Sequence, residues 1–243
     1  MDYSSYAVND DSRYQKAQKI VSCIEYILKQ TLHNRKILEI GAGSGIISYH
    51  VIQASNDVIS IDISANLFRN TFFPENKIQF LLANGISMPF KDETFDIVIC
   101  NQVIEHIPRH NQPSLVNEIF RVLGKDGLVY MATPNKFWPI EPHTKLPLIS
   151  YFPKKISDIY LNYTKGTKYF NVYLLDYYRL RKILSAKFNP LRDLTPNVIK
   201  NPDVFFIRDE IPKKFQKILV KLPLSWLQKF SPFYPSWIMI GKK

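Results

Sequence analysis

The run Lys36-Ile-Leu-Glu-Ile-Gly-Ala-Gly-Ser-Gly-Ile46 decides how this chain folds. Ile37, Leu38 and Ile40 read as a short strand buried on both faces, as strands of a parallel sheet are. Gly41, Gly43 and Gly45 then let the backbone turn sharply and let a ligand approach with no Cβ in the way. The helix that follows turns its free N–H groups toward that ligand. Strand, glycine turn and helix N-terminus make a nucleotide-type site in an open α/β sheet; the plainer alternative is a bare strand-to-helix connection.

Spacing narrows the ligand. A dinucleotide turn needs Gly-x-Gly-x-x-Gly, and after Gly41 and Gly43 the third glycine position is Ile46, which argues against NAD and FAD. The pattern Glu39-x-Gly41-x-Gly43-x-Gly45 instead resembles motif I of the class I S-adenosylmethionine-dependent methyltransferases, type 11 and ubiquinone-biosynthesis-like small-molecule enzymes among them. The resemblance implies S-adenosyl-L-methionine as cofactor, its amino-acid part against Glu39, Gly41, Ala42, Gly43 and Gly45. It also implies a three-layer Rossmann-like fold, a mostly parallel seven-stranded sheet with the last strand antiparallel.

Later phrases extend the resemblance over about residues 36 to 134. Val58-Ile-Ser-Ile-Asp62 reads as strand two, ending in an acid that accepts from ribose hydroxyls, with Ile63 beside it and Ser64 as a helix cap. Lys77 to Leu82 reads as strand three. Ala83-Asn-Gly-Ile-Ser-Met-Pro-Phe90 looks like motif II, where Asn84 stands in place of the usual Asp at the adenine amine, beside Gly85, and Ile86 gives the ring an apolar face. Phe95 to Cys100 is a uniformly apolar strand, and Asn101, Gln102 and Val103 after it would border the methionine end of the cofactor, with His106 near the methyl donor. Glu105, His106 and His110 form no metal set in this reading, because Pro108 breaks any helix that would align the two histidines. Leu115 to Leu123 is an amphipathic helix closed by Gly124, and Asp126 to Pro134 turns into strand five.

Ahead of the core, Ser12 caps a helix whose stripe is Ala17, Ile20, Val21, Ile24, Ile27, Leu28 and Leu32. Tyr3, Tyr6, Arg13 and Tyr14 lie on a polar leader, either a lid over the cofactor or a tail.

The remainder differs in composition. The 243 residues carry a net charge of +11, but residues 1 to 134 hold 12 Lys and Arg against 14 Asp and Glu, whereas residues 135 to 243 hold 20 against 7, a net of +13. The basic half also holds 20 of the chain's 33 aromatics. Such a surface meets an anionic partner or is simply solvated. The expected organisation is one domain over 1–243: helix and lid to 35, cofactor core at 36–134, and a substrate half at 135–243 with a basic amphipathic insertion at about 197–234. No apolar run approaches the roughly 20 residues of a membrane span. The first 15 residues do not look like a signal peptide, and Cys23 and Cys100 read as buried free thiols, so a cytoplasmic protein is expected.

In the substrate half, Glu141 and His143 flank Pro142 in a proline-rich segment leaving strand five, where a carboxylate raises the basicity of an imidazole; a surface linker is the alternative. A helix is expected over 151–163 and another from Asp176, strand six over Phe188–Thr195 and strand seven over Trp237–Gly241. Within the insertion, Phe215, Ile218, Leu219 and Leu222 alternate with Lys213, Lys214, Lys217 and Lys221, and Pro223 separates them from Leu224, Trp226, Leu227 and Phe230. That is the composition of an interfacial segment, or of a lid on the domain's own core.

The functional expectation is methyl transfer to a hydroxyl, amine or carbon of a small, anionic or lipid-linked acceptor. His143 or His106 serves as base, Glu141 orients His143, no metal takes part, and residues 212–230 touch a membrane surface at the periphery. RNA methylation, a cofactor-binding scaffold without activity, and an NAD oxidoreductase are the rival readings.

Overall fold

The computed structural model describes residues 10–55, 57–64, 79–141, 143–166, 172–207 and 213–243. In chain order the elements are α1 (Asp10–Leu28), β1 (Lys36–Ile40), α2 (Ile46–Ser55), β2 (Asp57–Asp62), β3 (Gln79–Leu82), β4 (Phe95–Asn101), α3 (Gln112–Val122), β5 (Leu123–Pro134), α4 (Lys154–Lys165), α5 (Tyr177–Ser185), β6 (Leu191–Asp193), α6 (Thr195–Lys200), α7 (Lys213–Leu219), α8 (Leu224–Lys229) and β7 (Ser236–Lys242). Short 3-10 turns cover Ile104–His106, Ile149–Tyr151 and Ser231–Phe233.

The strands form one seven-stranded sheet in the order β3-β2-β1-β4-β5-β7-β6. β7 runs antiparallel to both neighbours and every other pairing is parallel, as expected. Because β6 and β7 come from the basic half, both halves of the chain share one sheet.

Alternation along the strands sorts side chains into two cores, since successive residues face opposite sides. Ile37, Ile97, Ile99 and Tyr130 meet Ile20 and Ile24 of α1 and Val51 of α2 on one face. Leu38, Ile40, Val98 and Met131 meet Leu115 and Ile119 of α3 and Leu180 and Leu184 of α5 on the other. The two helical layers enclose the sheet. Strand order reverses at β1 and β4, and the register Ile40 to Cys100 sets Gly41 beside Asn101 at the crevice where such sheets bind ligands.

Several boundaries differ from the sequence reading. α1 starts at Asp10, so Ser12 is not its cap, and Arg13 and Tyr14 ride on the helix rather than on a leader. Leu32 lies past the helix end yet is fully buried. β3 is described from Gln79. α3 ends because Leu123 turns extended and runs straight into β5, so Gly124 is strand and not a cap. β6 is only Leu191–Asp193, since Phe188 is spent in the core and Thr195 opens α6. Asp176 does cap α5, accepting from Arg179 N at 2.9 Å. Tyr3 and Tyr6 lie outside the described residues, as do the side chains of Lys213, Lys214 and Phe215.

Arg121 of α3 holds the loop after β3 in place. Its guanidinium donates to Glu118 (2.8 Å), Asp92 (2.8 Å) and the carbonyls of Met88 (3.0 Å) and Phe90 (2.7 Å). Arg121→Ala takes this donor from two carbonyls and two carboxylates. We expect a loss of roughly 1–3 kcal/mol in chemical denaturation, with amide exchange accelerated over residues 84–92.

Candidate functional site

The glycine turn is built from its own backbone. Gly41 N and Ala42 N donate to Ile61 O at 2.8 and 3.1 Å, and Gly45 N donates to Ala42 O at 2.9 Å. A Cβ on Gly41 would meet Val103 Cγ2 at 2.4 Å, and one on Gly45 would meet the Phe80 ring at 2.5 Å, so these two glycines serve internal packing. Gly43 shares their positive φ, at +56°, but a Cβ there would meet nothing within 4 Å. Its open side is a cradle that a side chain would fill. Ser44 Oγ, buried beside it, finds no hydrogen-bond partner. An open glycine and an orphaned buried hydroxyl at the crevice fit a polar ligand such as the amino-acid part of S-adenosylmethionine.

Glu39 sits behind this turn. It is 2% exposed and accepts from Ser48 Oγ of α2, which lies 2.6 Å from Ser60 Oγ of β2. Burial pushes its carboxyl up to about 7, against the Ser48 hydrogen bond and the charge of Arg13, which hold it down. Within this structure Glu39 ties β1, α2 and β2 together.

Asp62 closes the β2 end of the crevice. Its Oδ2 accepts from Gly43 N at 2.9 Å and its Oδ1 from Ser64 N at 3.0 Å, so the acid that the sequence assigned to ribose also clamps the glycine turn. Ser64 receives this carboxylate on its backbone. Asn84 is exposed and uses Oδ1 to accept from Ile86 N at 3.1 Å. Gly85 is buried against Ile40 and Leu115, Ile86 is half-buried, and Ile63 is 76% exposed. Tyr14 points its ring edge at His50 of α2, 4.6 Å between centroids, and its hydroxyl accepts from Gln18.

After β4, Asn101 is half-buried, Gln102 is exposed at φ +57° with its N–H on Ala132 O, and Val103 packs against Gly41. The next turn carries a group the sequence reading undervalued. Glu105 is fully buried: Oε2 accepts from Thr133 Oγ1 of β5 at 3.0 Å, and Oε1 has no hydrogen-bond partner. Burial pushes this carboxyl up to about 7, only partly offset by its own N–H, His143 and Thr133. Its sequence signal was position alone, directly after an apolar strand and turn.

The proline-rich segment after β5 folds back onto that turn. Glu141 is 1% exposed, its Oε1 lies 2.6 Å from His143 Nδ1, and its Oε2 accepts from Thr144 N at 2.6 Å. Burial alone would raise Glu141, but the hydrogen bond and charge of His143, with the neighbouring N–H groups, hold it below the ordinary range. Burial would lower His143, but the Glu141 bond and the charges of Glu141 and Glu105 hold it above its ordinary 6.5. His106 is exposed, meets His143 edge to face at 5.0 Å, and is shifted down by desolvation and by that neighbour. One donor atom each from Glu105, His106 and His143 lies within 4.8 Å of the others. His110 takes no part in this group. Its place is filled by an imidazole 37 positions further along the chain than His106.

A parallel sheet reversing at β1 and β4, an open glycine turn, an acid ending β2 and an antiparallel β7 define the class I S-adenosylmethionine-dependent methyltransferase fold. Residues 38–131 match the methyltransferase domain family. An uncharacterized protein of Methanocaldococcus jannaschii is 34% identical over 113 residues, covering 46% of this chain and 48% of the relative. A ubiquinone biosynthesis O-methyltransferase of Hydrogenovibrio crunogenus is 27% identical over 119 residues, again 46% and 48%. The matched part thus spans about half the length of these curated relatives. Among solved structures, a Haemonchus contortus phosphoethanolamine N-methyltransferase in complex with phosphomonomethylethanolamine and S-adenosylhomocysteine shares the fold with a TM-score of 0.55 and 16% identity, covering 92% of this chain and 52% of that one.

Two outcomes are expected. Gly43→Val fills the open side of the turn, so titration calorimetry should show S-adenosylmethionine binding lost; φ +56° also strains any side chain, so circular dichroism must confirm the fold before that loss counts. For Glu39, the folded carboxyl near 7 lies above its ordinary 4.5, so its contribution to stability is complete below about 4.5 and disappears as pH rises through about 7. Glu39→Gln should therefore flatten the fall in denaturation free energy across that window.

Proposed function

We propose that this chain transfers the methyl group of S-adenosylmethionine to a hydroxyl or amine of a small anionic or lipid-linked acceptor, with His143 as the base and Glu141 as its positioning partner. The observation that carries this reading is the 2.6 Å contact between His143 Nδ1 and a fully buried carboxylate, at the edge of the sheet where ligands bind. The glycine turn, Ser44 and Asp62 would hold the cofactor, which supplies an electrophilic methyl on a sulfonium and leaves as the neutral thioether. The residues have three tasks: to align the acceptor, to keep water out and to take its proton. Glu141 fixes the neutral ring with its proton on Nδ1, which leaves Nε2 basic. Support for the acceptor class comes from the basic half and from the phosphorylated amine bound by the Haemonchus enzyme. RNA is the second acceptor class that a basic, aromatic surface suits. A scaffold without activity would leave the buried Glu141–His143 pair without a task, and an NAD enzyme would leave the methyltransferase-domain match unexplained.

A second reading rests on the orphaned Glu105 Oε1: a divalent cation held by Glu105, His106 and His143, one carboxylate and two imidazoles. Titration of the purified protein with Zn2+ and Mn2+ tests it directly, and unchanged turnover after chelation leaves His143 as the base.

As a base, His143 works only when neutral, so kcat should rise with pH through a value above 6.5. Glu141→Gln removes the charge that raises it, and the rising limb should move to lower pH while kcat falls. His143→Ala should lower kcat by about 10²–10⁴-fold with little change in cofactor affinity. Full turnover by folded His143→Ala would remove His143 from the chemistry.

A further inference from the structure

Helix α4 is apolar on two opposite faces, and only one of them has a partner. Ser157 and Leu161, one turn apart, are buried toward Leu146, Ile149, Val172 and Leu174, and Ser157 Oγ donates to Ile149 O at 2.9 Å. On the far side Ile156, Ile159 and Tyr163, at helical spacing of three and four, are 49%, 70% and 91% exposed. The turn leading into the helix adds Leu148, Tyr151 and Phe152, each more than 40% exposed. Single exposed apolar residues are ordinary, but six on one turn and helix are a patch that needs a covering. The patch is braced: Tyr151 Oη donates to Phe137 O at 2.5 Å, and the Phe152 ring meets Tyr160 at 6.3 Å.

Charge selects the covering. Residues 136–166 carry five lysines against two acids. Of the acids, Glu141 is buried and Asp158 lies 3.5 Å from Lys154, while Lys145, Lys154, Lys155 and Lys165 are all exposed around the patch. A second copy of the chain meeting this face about a two-fold axis would set lysines against lysines. An anionic lipid surface instead takes the lysines among its headgroups and the apolar side chains below them, with tyrosine at the boundary.

We propose that the outer face of α4 and the turn before it dock on an anionic bilayer. The bare surface is the half-exposed stripe of a short helix, with about 1 kcal/mol from each lysine near the headgroups, so attachment is reversible and salt-sensitive. The same segment leaves β5 and carries His143, so docking would bring the excursion that holds the base onto the membrane. This last step rests on the proposed function, and it gives a lipid-linked acceptor a route to the site. The surface is separate from residues 212–230, where Ile218 and Trp226 are exposed but Lys200 Nζ ties the chain down through Val220 O and Leu222 O.

The test is co-sedimentation of the whole chain with phosphatidylglycerol–phosphatidylcholine vesicles and with phosphatidylcholine vesicles alone, at low and physiological ionic strength. Pelleting with the anionic vesicles only, weakened about tenfold or more in Ile159→Glu/Tyr163→Glu and in Lys154→Glu/Lys155→Glu, supports docking. Both variants alter exposed side chains, so S-adenosylmethionine affinity should be unchanged; that measurement separates failure of the docking surface from failure of the methyltransferase reading. No pelleting at low salt, or loss only in Lys217→Glu/Lys221→Glu, overturns the proposal. A dimer in analytical ultracentrifugation that the Ile159→Glu/Tyr163→Glu variant dissolves overturns it too, in favour of a second copy.

Discussion

The hydrogen bond from Gly43 N to Asp62 Oδ2, 2.9 Å long, couples the two strand ends on which the crevice depends. Parallel pairing carries β1 and β2 side by side, but pairing alone does not decide where the chain goes once it leaves β1. Gly41 and Ala42 bind back to Ile61, and Gly43 binds to the side chain one residue further on, so the turn is laid across the end of β2. From there Val103 fills the space that the absent Cβ of Gly41 leaves, bringing the β4 turn into contact as well. The Glu105 that follows in that turn is joined to β5 through Thr133. Four strand ends are thus linked by short contacts.

Two buried acids show how the same physical shift serves different ends. Glu39 and Glu105 are both fully enclosed and both pushed up to about 7 by loss of water. Glu39 meets hydroxyls of α2 and β2 and works as a joint between layers. Glu105 keeps one oxygen without a partner and faces an imidazole, a costly arrangement inside a protein unless something is bound there or a proton is held there. Glu141 supplies the contrast. It too is almost unexposed, yet it is held low because His143 and backbone N–H groups satisfy it. Partners and depth together separate these carboxylates.

The sheet and its crevice were legible because they are written locally. Alternating or continuous apolar runs mark strands, and the glycine spacing excludes one cofactor class and fits another. The boundaries were less so. Gly124 looked like a helix cap, but Leu123 had already gone extended to pair with Phe95. Asp62 was legible as an acid at the end of β2, yet its clamp on Gly43 needs the turn to be folded. The histidine group was hardest to see. Proximity along the chain suggested His110, but after the 3-10 turn at Ile104–His106 the chain goes extended at Ile107 and His110 stays out of the group, while the excursion after β5 returns His143 to His106. Nothing in the spacing of the two histidines encodes their meeting. Only the order of β4 and β5 in the sheet brings the two loops together.

The charge imbalance between the halves acquires a meaning from the topology. If the basic half had formed a separate unit, its lysines would say little about the crevice. Instead β7 inserts beside β5 and buries Trp237, Met239 and Ile240 in the shared cores, so the half is anchored by its last strand while the excursion between β5 and β6 spreads over the ligand edge. The core takes Leu180 and Leu184 of α5, the apolar residues of β7, and Phe188 and Phe205, while Phe137, Trp138, Tyr151, Phe152 and Tyr163 between β5 and β6 stay exposed. A segment spared from core duty is free to vary in what it binds, while the glycine turn, held by the Ile61 carbonyl, the Asp62 carboxylate and the side chains of Val103 and Phe80, is not. That division explains why the cofactor side resembles a family and the acceptor side does not: the first is fixed by geometry shared across the sheet, and the second only by the chemistry of whatever this chain's own acceptor happens to be.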